Sequence, residues 1–283
     1  MTVEVHDVGA SVLVQDGGRP GWAHLGVPRS GALDRPAAAL ANRLVGNDVD
    51  AACLEVLLGG LVLSSDADVW VAVTGAPCRV EIDGRPREFG APVRLPAGRA
   101  LRLGRPHEGL RSYVAVAGGV DVAPVLGSRS TDTLGRLGPA PVEPGDRLPV
   151  GATSGAPAAL DTPRPPVPGP LRLFSGPRAD RVDGDALDLL CHTAYTVSPD
   201  SDRIGLRLIG DPLPLRRSVE LPSEGMVLGA VQVPPDGRPV VFLADHPPTG
   251  GYPVVAVVDT GDLWQCAQLR PGESVTFTRA ARR

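Results

Sequence analysis

Apolar and polar positions alternate along this chain in short bursts. The segments SVLVQD, LEVLLGGLVL, DVWVAVTGA, CRVEIDG, APVRLPAG and RSYVAVAGG are rich in Val and Leu and bounded by Gly, Pro or Asp. Short β-branched runs with such boundaries predict strands joined by tight turns. Two Asp-Gly steps, in IDGRP (Ile82 to Pro86) and PPDGRPV (Pro234 to Val240), fall where a hairpin turn belongs. Regular spacing without intervening helical periods points to β-barrels or sandwiches rather than βαβ units. The predicted class is mainly β, in two β-rich lobes with few short helices.

Two segments carry helical signals. In LDRPAAALANRLVGN, Asp34 is the predicted N-cap and Pro36 suits the first turn. Leu40, Leu44 and Val45 share a face there, and Gly46 stops the helix. DALDLLCHTA, from Asp185 to Ala194, is the second predicted helix. The stretch from 151 to 170 is dense in Pro, Ala and Gly and reads as an extended linker. It divides an N-terminal lobe, 1–150, from a C-terminal lobe, 171–283. Both lobes close on a similar phrase, VEPGDRLPV and LRPGESVTF, which reads as a Pro-Gly turn entering a strand.

Composition narrows the chemistry. The 283 residues are 42% apolar and 21% charged, with net charge −4, which fits a soluble globular protein and gives no electrostatic case for nucleic acid or anionic membrane. No apolar run approaches a membrane span, and MTVEVHDVGA lacks the pattern of a secretory signal, so a cytoplasmic location is expected. Cys53, Cys78, Cys191 and Cys266 are far apart and read as buried free thiols. All 28 residues counted as Lys plus Arg are arginine. A chain without lysine carries no biotin, forms no lysine Schiff base and has no P-loop lysine. Any anion it holds is met by arginine, backbone N–H groups or a metal.

Four polar clusters interrupt the strands. The first, QDGGRPGWAHLGVPRSGALDRPA, offers Gln15, Asp16, Arg19, His24, Ser30, Gly31 and Asp34. VLGSRSTDTLG offers Ser128, Arg129, Ser130, Thr131 and Asp132, and SPDSDRIGLRL offers Asp202 and Arg203. The fourth, GAVQVPPDGRPVVFLADHPPTGGYP, offers Gln232, Asp245, His246, Thr249, Gly250, Gly251 and Tyr252. Any one of these alone reads as a turn. HExxH, GxSxG and GxGxxG are all missing from the sequence. The residues by themselves therefore describe Arg-, Asp- and Gly-lined loops suited to a small acidic or amide ligand.

Taken in order, the four clusters resemble the allophanate hydrolase subunit 2 family, whose members are also called KipA, biotin-dependent carboxyltransferase family proteins or the C-type subunit of 5-oxoprolinase. The likeness runs from Val14 to Phe277 and makes the whole chain one domain of that type. It implies a cyclophilin-like β-barrel architecture and a KipI-like partner (allophanate hydrolase subunit 1). With that partner and a LamB/YcsF-like subunit, such proteins form an ATP-dependent 5-oxoprolinase that opens 5-oxo-L-proline to L-glutamate. Related domains fused in urea carboxylase transfer a carboxyl group from carboxybiotin to urea; that version needs a separate biotin carrier here. KipA-type names imply a third, non-catalytic role, as regulatory partner of a KipI-like protein.

The resemblance makes these loops a site. Asp16, Arg19, Asp34, Arg203 and Asp245 are the implied catalytic set. Gln15, Ser30, Gly31, Ser128, Arg129, Asp202, Gln232, Thr249, Gly250, Gly251 and Tyr252 are the implied substrate- and nucleotide-binding set. Arg19, Arg129 and Arg203 suit phosphate or carboxylate oxygens. Asp16, Asp34, Asp202 or Asp245 is a candidate oxygen ligand for the Mg²⁺ that accompanies ATP, and the metal site itself is left unassigned. The chain departs from the family pattern at His246, Pro247 and Val254, the last where a lysine is expected.

Overall fold

In the opening strand Val3 and Val5 are buried while Thr2 and Glu4 are half-exposed, the period-two pattern of a strand with one face on a core. The computed structural model describes residues 1–153, 155–157, 166–216 and 221–281. They form two compact units. Unit 1 takes Met1–Arg19, Ser30–Asp132 and Arg136–Pro165, and unit 2 takes Pro20–Arg29, Thr133–Gly135 and Pro166–Arg283. Two short segments of the N-terminal half thus belong to the second unit. Of the predicted linker 151–170, positions 154 and 158–165 lie outside the described residues.

Unit 1 contains β1 (Thr2–Val8), β2 (Ser11–Gln15), α1 (Arg35–Leu44), β3 (Cys53–Leu57), β4 (Leu61–Ser65), β5 (Val69–Gly75), β6 (Val80–Ile82), β7 (Arg85–Arg87), β8 (Pro92–Leu95), β9 (Ala100–Leu103), β10 (Arg111–Val116) and β11 (Arg147–Pro149). One sheet has the order β11-β1-β4-β9-β6-β7, the other β2-β3-β10-β5-β8. The single apolar run LEVLLGGLVL makes one strand of each sheet, β3 and β4, with Leu58, Gly59 and Gly60 turning between them. Val5, Leu63 and Leu101 from the first sheet share a core with Val12, Leu54, Val71 and Tyr113 from the second. Each fully buried Leu or Val is worth about 1.5–3 kcal/mol.

The signals for α1 act as predicted: the Asp34 carboxylate accepts from Ala37 N at 3.0 Å, and Pro36 lies in the first turn. Its buried face is Ala38, Ala41, Asn42 and Leu44, with Leu40 only partly buried. Asp83-Gly84 turns the hairpin of β6 and β7, in register Ile82↔Arg85. Arg85, Pro86 and Arg87 then form an exposed, charged edge that discourages further strand pairing.

Unit 2 contains β12 (Leu171–Ser175), α2 (Ala186–His192), β13 (Tyr195–Val197), β14 (Gly205–Ile209), β15 (Glu224–Gly225), β16 (Ala230–Gln232), β17 (Val240–Phe242), β18 (Thr249–Gly250), β19 (Val254–Val258), α3 (Leu263–Cys266), β20 (Ser274–Val275) and β21 (Phe277–Arg279). Its main sheet has the order β20-β13-β14-β17-β16-β19-β12-β21. The two edge strands are separated in the chain by Thr276 alone, so one residue joins the two ends of the sheet and the sheet is nearly a closed barrel. The mainly β, barrel-like class with few short helices is therefore the observed one. Asp185 caps α2 through Asp188 N at 3.0 Å. The Asp236-Gly237 step lies between the paired strands β16 and β17, as predicted, in a wider loop. The four cysteines are free, but only Cys53 and Cys266 are buried; Cys78 and Cys191 are half-buried. Helix α3 carried no recognised signal in the sequence.

Candidate functional site

The first cluster is built on the chain leaving β2. Asp16 is half-buried, and its carboxylate is a hub in unit 1. Oδ1 accepts from Ser128 Oγ at 2.6 Å, Ser130 Oγ at 2.6 Å and Gly18 N at 2.7 Å, and Oδ2 accepts from Arg129 N at 2.6 Å. The Asp16 N–H donates to Ser130 Oγ at 2.9 Å. Two loops more than a hundred residues apart are thereby locked together. Gln15 Nε2 reinforces the lock by donating to Thr131 O at 2.9 Å, and Thr131 N donates to Val14 O at 2.9 Å.

Arg19 is fully buried, 1% exposed. Its Nη2 donates to Ser130 O and its Nε to Val125 O at 3.4 Å. In the 125–130 loop, Ser128, Arg129 and Ser130 thus donate to Asp16, while the Val125 and Ser130 carbonyls accept from Arg19. Arg129 turns outward and pairs with Asp121 at 2.6 Å. Ser30 is buried in left-handed backbone (φ 53°), and Gly31 after it packs on Gly18. Gln15 Oε1, Arg19 Nη1, Ser30 Oγ and Thr131 Oγ1 are buried without a hydrogen-bond partner among the described residues. Gln15 and Asp16 also line a cavity of about 10 Å³, room for one water.

A clamp that sequence reading missed fixes the far end of the first loop. Glu55, buried on β3, accepts from Leu33 N at 3.1 Å and from Tyr113 Oη at 2.9 Å. Tyr113 Oη accepts from Asp34 N at 2.8 Å, and Arg111 Nε lies 3.4 Å from Glu55. Burial pushes the Tyr113 phenol well above its ordinary range, and the Glu55 and Asp34 charges add to this, so it stays protonated. The available signal was Glu55 itself, a lone acid inside the apolar run LEVLL.

In unit 2, Arg203 and Asp245 form a buried pair. Arg203 Nε is 3.0 Å from Asp245 Oδ2, and Nη2 is 3.3 Å from Oδ1. Asp245 Oδ2 also accepts from Thr133 N at 3.1 Å and Thr133 Oγ1 at 2.6 Å, which holds the short 133–135 segment. Burial alone would raise the Asp245 carboxyl, but Arg203 and the Thr133 bonds outweigh it and hold it below the usual carboxylate range. Asp202 turns away: its Oδ1 accepts from Ile204 N and Gly205 N and shapes the entry to β14. Gln232 donates to Tyr252 O at 3.1 Å. A Cβ on Gly250 would lie 2.8 Å from Gln232 Nε2, so glycine permits this approach. Thr249, Gly251 and the Tyr252 ring are exposed. His246 is buried, stacked on Phe242 with centroids 5.8 Å apart, and its Nδ1 lies 2.8 Å from Pro247 O.

Each candidate Mg²⁺ ligand, Asp16, Asp34, Asp202 and Asp245, takes part in internal hydrogen bonds, and no group of three His, Cys, Asp or Glu among the described residues is close enough to hold a metal. Among the described residues no helix is long and apolar enough to cross a membrane.

A mainly β chain with a near-closed barrel and these loop clusters is of the carboxyltransferase-domain class, and the chain belongs to that family: the family model "Carboxyltransferase domain, subdomain A and B" matches residues 25–279. The chain is 39% identical over 277 residues to the C-type subunit of 5-oxoprolinase from Escherichia coli (strain K12), covering 96% of this chain and 89% of that protein. The crystal structure of TTHA0988 superposes with a TM-score of 0.89 at 42% identity, over 98% of this chain and 55% of that one. The Kluyveromyces lactis urea carboxylase superposes with a TM-score of 0.92 at 29% identity, over 99% of this chain and 27% of that one. The chain thus spans about half of the first of these structures and about a quarter of the second.

Proposed function

We propose that this chain is the C-type subunit of an ATP-dependent 5-oxoprolinase, opening 5-oxo-L-proline to L-glutamate together with a KipI-like and a LamB/YcsF-like subunit. The observation that carries this reading is the two-way coverage with the Escherichia coli relative, 96% of one chain and 89% of the other. An amide within a ring resists water, and ATP most simply activates it by phosphorylating its oxygen, which calls for positioning and charge neutralisation. This chain contributes the hydrogen-bonded loop cluster of unit 1. ATP and Mg²⁺ are assigned to the assembled complex.

A carboxyltransferase acting on urea or a related amide is the second reading, favoured by the urea carboxylase superposition. It requires a biotin carrier on another chain, since no lysine is present.

Reconstitution separates the two. The chain is mixed with its KipI-like and LamB/YcsF-like neighbours, ATP, Mg²⁺ and 5-oxo-L-proline, and glutamate is measured with each component omitted in turn. Glutamate that needs all three proteins and ATP is the expected result. An assembled complex that releases none, but accepts carboxyl groups from carboxybiotin on a carrier, overturns the first reading in favour of the second.

A further inference from the structure

The solvent-side positions on the barrel strands of unit 2 are polar at Arg172, Thr196, Arg207 and Thr278. Among the described residues, two large apolar side chains on these strands are exposed, Phe174 at 42% and Ile209 at 44%. Their surroundings differ. Ile209 lies opposite Thr196. Phe174 lies opposite Val257, and Val257 lies opposite Ala230, so three adjacent strands carry one apolar row on the same face. Val257 packs against the buried cluster of Met226, Ala230, Val240, Phe242 and Val254. Apolar surface therefore runs from a buried cluster through Val257 out to Phe174. Val227 stands at its margin: it is 54% exposed, and its carbonyl accepts from Ala230 N at 3.1 Å. Charged pairs flank the row. Arg172, two positions before Phe174 and on the same side of its strand, pairs with Asp262 at 2.8 Å, and Arg178, four positions after it, pairs with Glu224. A single exposed apolar side chain such as Ile209 is ordinary, whereas contiguous apolar surface with a polar rim is the anatomy of a protein contact.

We infer that the Phe174–Val257 face of unit 2, with Val227 at its margin, is the seat of a partner protein that presents apolar side chains. The occupant is the KipI-like subunit, a choice that rests on the 5-oxoprolinase reading. Its being a protein chain is supported by the relatives. The TTHA0988 and urea carboxylase chains run on well beyond the part that this chain matches, 55% of one and 27% of the other, so in both this domain is joined to further protein. The Escherichia coli relative is named as a subunit. The contact is made by side chains and not by adding a strand, because β12 already has β19 on one side and β21 on the other.

The test is calorimetric titration of the full chain with the KipI-like protein, with sedimentation of each chain alone and of the mixture. The variants are Phe174→Asp, Val227→Asp and, as control, Ile209→Asp. Ile209 is as exposed as Phe174 and stands four strands away from it in the sheet order. Phe174→Asp is expected to weaken the complex roughly thirtyfold or more, as loss of an apolar anchor does, and Val227→Asp roughly tenfold. Ile209→Asp should leave it unchanged. If Phe174→Asp melts early, Phe174→Ser and Val227→Asp decide the matter. Equal affinity for wild type and all variants overturns the inference. So does a patch-dependent contact with the LamB/YcsF-like protein or with a second copy of this chain while KipI-like binding is unchanged, which gives the face to that occupant instead. Glutamate release reports on the reading separately: release from a complex insensitive to the patch variants removes the inference alone, and patch-dependent assembly without release removes the reading alone. A wild-type chain that binds no KipI-like protein overturns both.

Discussion

Asp16 and Ser130 are bonded to each other twice. The backbone N–H of Asp16 donates to Ser130 Oγ at 2.9 Å, and the same hydroxyl donates to the Asp16 carboxylate at 2.6 Å. Ser130 is thus both acceptor and donor to one residue, and the two loops keep a fixed register. Replacing Asp16 by Ala strands the donors of Ser128, Ser130, Gly18 and Arg129, at a cost of about 3 kcal/mol or more. Urea unfolding of Asp16→Ala checks this. A loss below about 1 kcal/mol means the lock is not held by the carboxylate.

Arg203 and Asp245 are expected to fail as a pair. Arg203→Met leaves Asp245 buried and unpaired, which costs about 3–5 kcal/mol at neutral pH. Because the folded Asp245 titrates below its ordinary value of 3.8, its contribution is fully present above that pH and is lost as pH falls through the folded value. The stability gap between wild type and Asp245→Asn should therefore narrow below about pH 4. Denaturant melts across pH 2.5 to 7 test this, and a gap independent of pH counts against it.

His246 gives the opposite end of the acid range. Burial pushes its imidazole below 6.5, although the Pro247 carbonyl and Asp245 pull upward. The unfolded chain therefore takes up this proton first, and stability declines as pH falls from about 6.5 through the folded value. His246→Gln should flatten that part of the stability curve. An unchanged slope between pH 6.5 and 5 in thermal melts would show that the imidazole is not held neutral.

Glu55 and Tyr113 hold the loop by the backbone N–H groups of Leu33 and Asp34, so their variants separate positioning from binding. Tyr113→Phe removes the acceptor of Asp34 N and the donor to Glu55, and should cost about 1–3 kcal/mol. In the reconstituted complex it should raise KM for the substrate more than it lowers kcat, because the loop is loosened and no reacting group is removed. A fall in kcat with unchanged KM would place the phenol in the chemistry instead.

Much of the fold was legible because strands and caps are local. The short apolar run SVLVQD, the Asp83-Gly84 turn and the Asp34 cap with Pro36 are each settled within a few residues, and each appears where the sequence predicts it. The polar residues of the site were legible as types. Their grouping was not. Nothing local says that Asp16 meets Ser128 and Ser130, or that Thr133 leaves its neighbours to bond Asp245. The Glu55 clamp was hidden for a related reason: its partners are Tyr113 and Arg111 on another strand and the Leu33 N–H, and an acid in an apolar run has no local signature of being satisfied.

The sequence by itself determined the mainly β class, the family and one set of chemical limits: without lysine there is no biotin, no Schiff base and no P-loop lysine on this chain. Those follow from composition and short-range periodicity, which need no knowledge of what meets what. Only the tertiary structure decided which charges remain available. Arg19, Arg129 and Arg203 are equivalent on paper, yet in the fold two have carboxylates and one does not. That outcome is set by distances between residues remote in the chain, because a buried charge is governed by what packing places within about 4 Å of it.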